Sequence, residues 1–303
     1  WQLILVRFYH GFATGMFVPV AEALIAERFT TRRGERISLF SSVTVVGRST
    51  APILGGSILF ITSNNFQNLY LAVGVAGITA FITALPFLGK EKTFAESRNS
   101  KSIDLRSVIR GWGSVAKNLG VLVVSLVEAG QYYVYGSTES FFLKYMEKIA
   151  NTDSFLRGVI MTCLLLMVMF SKPYIGRLSD RIGRRKPIIL GCAVSAIPLI
   201  AIPFFTQFPV LLFLAIIYGL GFSLVTSATP ALVSELVPMK VVGSAMGFLG
   251  TIMDVGQTLG PIICSLILVT SLGYLGLFSS LAIVLLFTGA IFAVSRVAKT
   301  SSK

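Results

Sequence analysis

Histidine, cysteine and charge are all scarce in this chain, and each scarcity removes a class of function. His10 is the single histidine in 303 residues, which leaves little room for multi-histidine metal or haem chemistry. The three cysteines, Cys163, Cys192 and Cys264, have no CxxC spacing and lie in apolar runs, so neither a disulfide framework nor a metal site is expected. No GxSxG, no HExxH and no complete Walker phosphate loop occurs. The sequence therefore predicts no enzyme, no metal and no cofactor. Charged residues make up only 13%, too few to cover the surface of a soluble domain of this length.

What is abundant is apolar. Hydrophobic residues reach 54% and the mean hydropathy is +0.81. The runs are near-continuous rather than alternating, which disfavours a β-barrel and predicts an all-α, polytopic membrane bundle. Nine spans are expected, at 2–26, 37–61, 69–88, 119–143, 155–175, 187–205, 210–236, 244–270 and 272–295, each long enough to cross a bilayer. The net charge of +13 falls mostly in alternate connecting segments, so it reads as a topology signal and not as a nucleic-acid surface. This bias predicts a cytoplasmic C-terminus. With nine spans the N-terminus then lies outside without a signal-peptide pattern, which suggests helices upstream of Trp1. The polar, basic, serine-rich stretch 89–118 divides three spans from six. The expected organisation is a remaining part of an N-terminal bundle over 1–88, a cytoplasmic linker over 89–118 and a six-helix C-terminal bundle over 119–303.

Four sets of residues stand out. The first is the charged knot Gly176-Arg177-Leu178-Ser179-Asp180-Arg181-Ile182-Gly183-Arg184-Arg185-Lys186 between two apolar runs. A plain topology anchor needs basic residues only. Asp180 among Arg181, Arg184 and Arg185, with Gly176 for close helix approach and Gly183 for a tight turn, reads instead as a releasable cytoplasmic latch. The second is a stripe on the fourth span: Glu128, Tyr132, Tyr135 and Glu139 share one helix face, with Gln131 beside it. Counting from Leu119 at about 1.5 Å per residue puts Glu128 near mid-membrane. A carboxyl group there is a functional candidate by default, and the tyrosines offer flat walls for aromatic or cationic ligands. The plainer reading makes Glu128 a structural carboxylate tied to a neighbouring helix. The third set is two further intramembrane charges, Arg7 and Asp254, each expected to face a wet cavity or a partner. The fourth is the small-residue and proline runs Gly47, Ala51, Pro52, Gly55 and Gly56, and Gly256, Gly260 and Pro261, which suit close helix packing and bending.

The chain repeats itself. Ala23-Leu24-Ile25-Ala26-Glu27 resembles Ala231-Leu232-Val233-Ser234-Glu235, and Gly11 maps onto Gly219 at the same offset. With one residue gained in between, Gly34, Gly47, Ala51 and Pro52 map onto Gly243, Gly256, Gly260 and Pro261. Duplicated bundles with a site between them are a common transporter plan.

Gly176-x-x-x-Asp180-Arg181-x-Gly183-Arg184-Arg185, with Leu190 beyond, resembles the signature loop of the major facilitator superfamily, in its second-half copy. Leu3-x-x-x-Arg7-x-x-His10-Gly11 resembles the fourth-helix motif of that family's proton-coupled drug antiporters, with His10 where Gln is usual. Gly47-x-x-x-Ala51-Pro52-x-x-Gly55-Gly56 resembles their fifth-helix motif, with one Ala in place of Gly. The resemblance implies a twelve-helix fold of two rocking bundles whose first three helices are not in this chain. It also implies that Arg7 tunes a nearby carboxylate and that the Pro52 and Pro261 bends seal the bundle against ion leak.

The expected function is secondary active transport by alternating access: proton-coupled efflux of small amphipathic molecules from the plasma membrane. Small-molecule substrate, protons and the lipid bilayer are the expected partners, and a monomer the expected state. Uptake of an organic anion or metabolite is the alternative, and a truncated, non-transporting membrane protein the rival from a different class.

Overall fold

Inside a bilayer every backbone amide and carbonyl must find a partner within the protein, so long apolar runs become helices. The computed structural model describes residues 1–2, 4–6, 8–13, 17, 33–88, 113, 115–238, 241–295 and 297. Residues 2–13 are helical wherever described. Eight long helices follow: α1 Arg33–Ile61, α2 Phe66–Leu88, α3 Leu119–Lys148, α4 Ser154–Ile182, α5 Arg185–Ala201, α6 Phe208–Leu236, α7 Val242–Leu268 and α8 Gly273–Val294, with a 3-10 turn at Ile202–Phe204 after α5. Among the described residues, these eight helices and the helical N-terminal segment match the nine expected spans in number, and no strand occurs.

Several helices outrun their apolar stretches. The charged knot is not one loop: α4 continues through Ile182, the chain turns at Gly183 and α5 starts at Arg185. Gly183 has φ of 86°, a left-handed value that glycine adopts without steric cost. The reason for the difference is that hydropathy marks where the hydrocarbon ends, whereas backbone bonding and caps decide where a helix ends. Among the described residues, six helices are long and apolar enough to cross a membrane by length and composition alone. The 30-residue α3 is not among them, because its polar stripe lowers its hydropathy.

The described residues form two compact units, Trp1–Ala51 and Pro52–Lys303. The first holds the N-terminal helical residues and the beginning of α1. Within the second, α3 packs along α7, α5 along α6, α4 along α6, and α8 against α5 and α3. Small residues set these approaches. A Cβ on Gly260 would stand 2.6 Å from Ser137 Oγ, and one on Gly136 would stand 2.5 Å from the Gln257 carbonyl oxygen, so α3 and α7 touch backbone to backbone. Gly56 and Gly158 make the same kind of contact between the end of α1 and the start of α4, where a Cβ on Gly56 would lie 3.2 Å from Gly158 Cα. Gly55 meets only the Leu69 side chain, and Gly47 and Gly176 have no described neighbour within 4 Å of where a Cβ would stand.

The buried side chains form two apolar clusters stacked along the bundle. One includes Val134, Phe142, Leu164, Leu199, Phe222 and Phe278. The other includes Val124, Val127, Ile188, Val225, Leu232 and Phe292. Single prolines interrupt α1, α2, α4, α5, α6 and α7, at Pro52, Pro86, Pro173, Pro198, Pro230 and Pro261. Helices α3 and α8 contain none.

Candidate functional site

Where the two apolar clusters meet, the bundle is polar. On α3 the lower cluster ends at Val127 and the upper begins at Val134, and Glu128 and Gln131 fall between them. Ser195 of α5, Ser223 of α6 and Thr288 of α8 fall in the corresponding gaps of their own helices, and all are buried. A polar belt thus lies between the two apolar clusters.

Glu128 is only 3% exposed. A carboxyl group so enclosed needs a hydrogen-bonding partner. It has one in Thr229 of α6, whose Oγ1 lies 2.5 Å from Glu128 Oε2. Lys172 of α4 exerts an electrostatic pull on the same carboxyl. Gln131, one turn along α3, is fully buried, and its amide faces the Cys192 thiol of α5 without meeting hydrogen-bond geometry.

The next turns of the stripe are aromatic. Phe222 of α6 lies 5.3 Å from the Tyr132 ring and 4.9 Å from that of Tyr135, centre to centre, and Tyr218 adds a fourth ring 6.4 Å from Phe222. Tyr135 is buried and Tyr132 partly so, which makes Tyr132 the accessible edge of this group. The structure therefore brings Glu128, Tyr132 and Tyr135 together against α6, as one helix face requires. Glu139, at the far end of the stripe, is exposed. Asp254 is exposed on α7, roughly opposite the Gly256 and Gly260 face that packs on α3, so it does not join Glu128. Arg7 lies outside the described residues.

The charged knot resolves into two separate devices. Arg184 binds Asp180 at 2.5 Å and Glu235 of α6 at 3.0 Å, and donates to Ser179 Oγ at 2.6 Å. Asp180 is the outer partner, with 60% of its side chain exposed, while Arg184 is largely covered. Arg181 is exposed. Arg185 does something else. It donates to the carbonyl oxygens of Ala293, Ser295 at 2.7 Å and Val297 at 2.9 Å, and lies over the Phe292 ring. The Ala293 and Ser295 carbonyls lie at the end of α8, with no further turn of helix to bond, and Val297 lies just beyond it, so a cation there satisfies both their hydrogen bonding and the helix dipole.

Thr229, Phe222, Tyr218 and Lys172 are absent from the sequence-based site. A signal for three of them exists: Tyr218, Phe222 and Thr229 recur at four and seven residues, a polar and aromatic stripe on an otherwise apolar helix. Among the described residues no cluster of His, Cys, Asp and Glu is arranged to hold a metal ion.

Residues 1–149 and 132–303 match the family profile described as Major Facilitator Superfamily, and the chain belongs to that superfamily of membrane transporters. It is an integral membrane protein. Among curated relatives, it is 24% identical over 270 residues to the Multi-drug resistance efflux pump PmrA homolog of Lactococcus lactis subsp. lactis (strain IL1403), covering 88% of this chain and 65% of that protein. It is 23% identical over 299 residues to the Multidrug resistance protein MdtG of Enterobacter lignolyticus (strain SCF1), covering 97% and 69%. It is 22% identical over 261 residues to the uncharacterized MFS-type transporter MJ1560 of Methanocaldococcus jannaschii, covering 86% and 66%. The chain thus spans about two-thirds of the length of the curated relatives it matches.

Proposed function

We propose that the protein exports small amphipathic molecules in exchange for protons, by alternating access between two bundles. The names of the relatives support efflux of drug-like compounds. The buried Glu128 carboxyl carries the coupling reading: it sits at mid-bundle, hydrogen-bonded across α3 and α6, beside an aromatic group suited to flat or cationic cargo. An intramembrane carboxyl is costly unless it is neutralised or paired.

In this reading residues 1–88 belong to the first bundle, 89–118 link it to the second, and 119–303 form the second. The plasma membrane is the site of action and the C-terminus is cytoplasmic. Gln131, Tyr132 and Tyr135 line the route with Glu128, and Arg7 and Asp254 contribute from elsewhere on it. Asp180, Arg184 and Glu235 form the releasable contact at the cytoplasmic face, and Arg185 holds the end of α8 beside it. The fastening contacts are worth a few kcal/mol at most, as a gate that must also open demands.

The test is Glu128→Gln in proteoliposomes with an imposed pH gradient, assayed with a panel of cationic and neutral dyes. Gradient-driven movement is lost and substrate binding persists. Transport at the wild-type rate by this variant would remove Glu128 from the coupling mechanism.

A further inference from the structure

The Thr229 hydroxyl has more acceptors than protons. Oγ1 lies 2.5 Å from Glu128 Oε2 and 3.0 Å from the carbonyl oxygen of Val225, one turn back on α6. A hydroxyl has one proton to donate and two lone pairs to accept with. Only one of the two oxygens can receive that proton at any moment. We propose that Thr229 is the positioning residue for the coupling proton: its hydroxyl donates to the ionised Glu128 and accepts from the protonated one.

The two states follow from this count. With Glu128 ionised, the hydroxyl proton goes to the carboxylate, because a charge-assisted bond is the stronger of the two. The Val225 carbonyl then keeps only its helical amide partner. When a proton from the gradient adds to Oε2, the new acid O–H donates to Oγ1, and the hydroxyl proton swings back to Val225. One proton has been added, one hydrogen bond has reversed direction, and no heavy atom has needed to move. The carboxyl is partnered in both states although it is 3% exposed. Loading and unloading then need no rupture of the α3–α6 contact. Pro230 follows directly and lacks the amide that would bond the Thr226 carbonyl, so α6 is loosest beside this hydroxyl.

Few other groups compete for the role. Lys172 acts on Glu128 from α4 and the Cys192 thiol from α5. Asp254 is the single charged residue of α7 and lies exposed on its other side, Glu235 of α6 is engaged by Arg184, and α8 has no charged residue. On α3 itself the charged neighbours, Glu139, Lys144, Glu147 and Lys148, are all at or beyond Glu139, three turns away.

The inference rests on Glu128 being the coupling carboxyl, and the experiment separates the two. The carboxylic C=O stretch, assigned by its absence in Glu128→Gln, is titrated by infrared difference spectroscopy in the full chain, alongside the pH profile of dye transport. Thr229→Val, equal in shape but without a hydroxyl, moves the midpoint of the band and of the profile together by about one pH unit, and Thr229→Ser restores both. A Val variant that titrates like the wild type overturns the role of Thr229 while leaving Glu128 in place. Full gradient-driven transport by Glu128→Gln overturns the underlying reading instead. Should the Val variant fail to fold, the wild-type band decides: a stretch at the frequency of an acid that donates a hydrogen bond supports the proposal, and one at the frequency of a free acid overturns it.

Discussion

The side-chain amide of Asn118 donates to the backbone carbonyl of Leu236 over 3.1 Å, joining the start of α3 to the end of α6. The oxygen of the same side chain accepts from the amides of Gly120 and Val121. One residue therefore caps two helices, and these two carry Glu128 and Thr229.

Asn118→Ala loses both caps and lowers stability by about 1–2 kcal/mol. Asn118→Asp keeps the acceptor for α3 but cannot donate to Leu236, and loses less. Thermal unfolding in detergent ranks the three proteins as wild type, Asp, then Ala. Equal losses in Asp and Ala would show that the bond to Leu236 is the contact that matters.

Arg184 and Arg185 are neighbours with different duties, and substitution separates them. Arg185→Lys retains the charge but not the planar fork that reaches three carbonyls. Hydrogen exchange in the last turn of α8, residues 291–294, accelerates on the order of tenfold, the equivalent of roughly one hydrogen bond. Arg184→Lys leaves that turn unaffected, because its partners are Asp180, Glu235 and Ser179. Equal protection of α8 in the wild type and Arg185→Lys would refute the clamp.

Gly260→Ala forces a methyl into the α3 backbone near Tyr133 and within 2.6 Å of Ser137 Oγ. The expected cost is about 1–3 kcal/mol, as for other overpacked contacts. Gly250→Ala, ten residues earlier on the same helix with no described neighbour within 4 Å, is neutral or slightly stabilising. Matched unfolding midpoints for the two variants would refute the close contact between α3 and α7.

Much of the fold was legible because membranes impose a simple rule. Apolar length gave the nine spans, and a period of 3.6 placed Glu128, Tyr132 and Tyr135 on one face before any partner was known. Gly183 announced its turn, and Gly256 and Gly260 announced a close contact. Other features were hidden for physical reasons. Thr229 lies 101 residues from Glu128 along the chain, and a threonine in an apolar helix usually bonds its own backbone, so nothing local marks it as a partner. Asn118 stood at the edge of a polar stretch where asparagine is ordinary. Arg185 was one basic residue among several, and only the end of α8, more than a hundred residues on, tells it from Arg184. Asp254, like Glu128, was an intramembrane carboxyl by sequence, and its helix face separates the two.

The distribution of prolines divides the protein into parts that bend and parts that do not. Of the eight long helices described, six contain an internal proline, and α3 and α8 are uninterrupted. Gly130 of α3 lies against Thr288 of α8, so the two unbroken helices stand side by side. They form a stiff spine, and the buried Glu128 carboxyl is mounted on it while its hydroxyl partner rides on a helix with a flexure one residue away. Any rocking of the flexible helices would then move the partner past the acid rather than the acid past the partner.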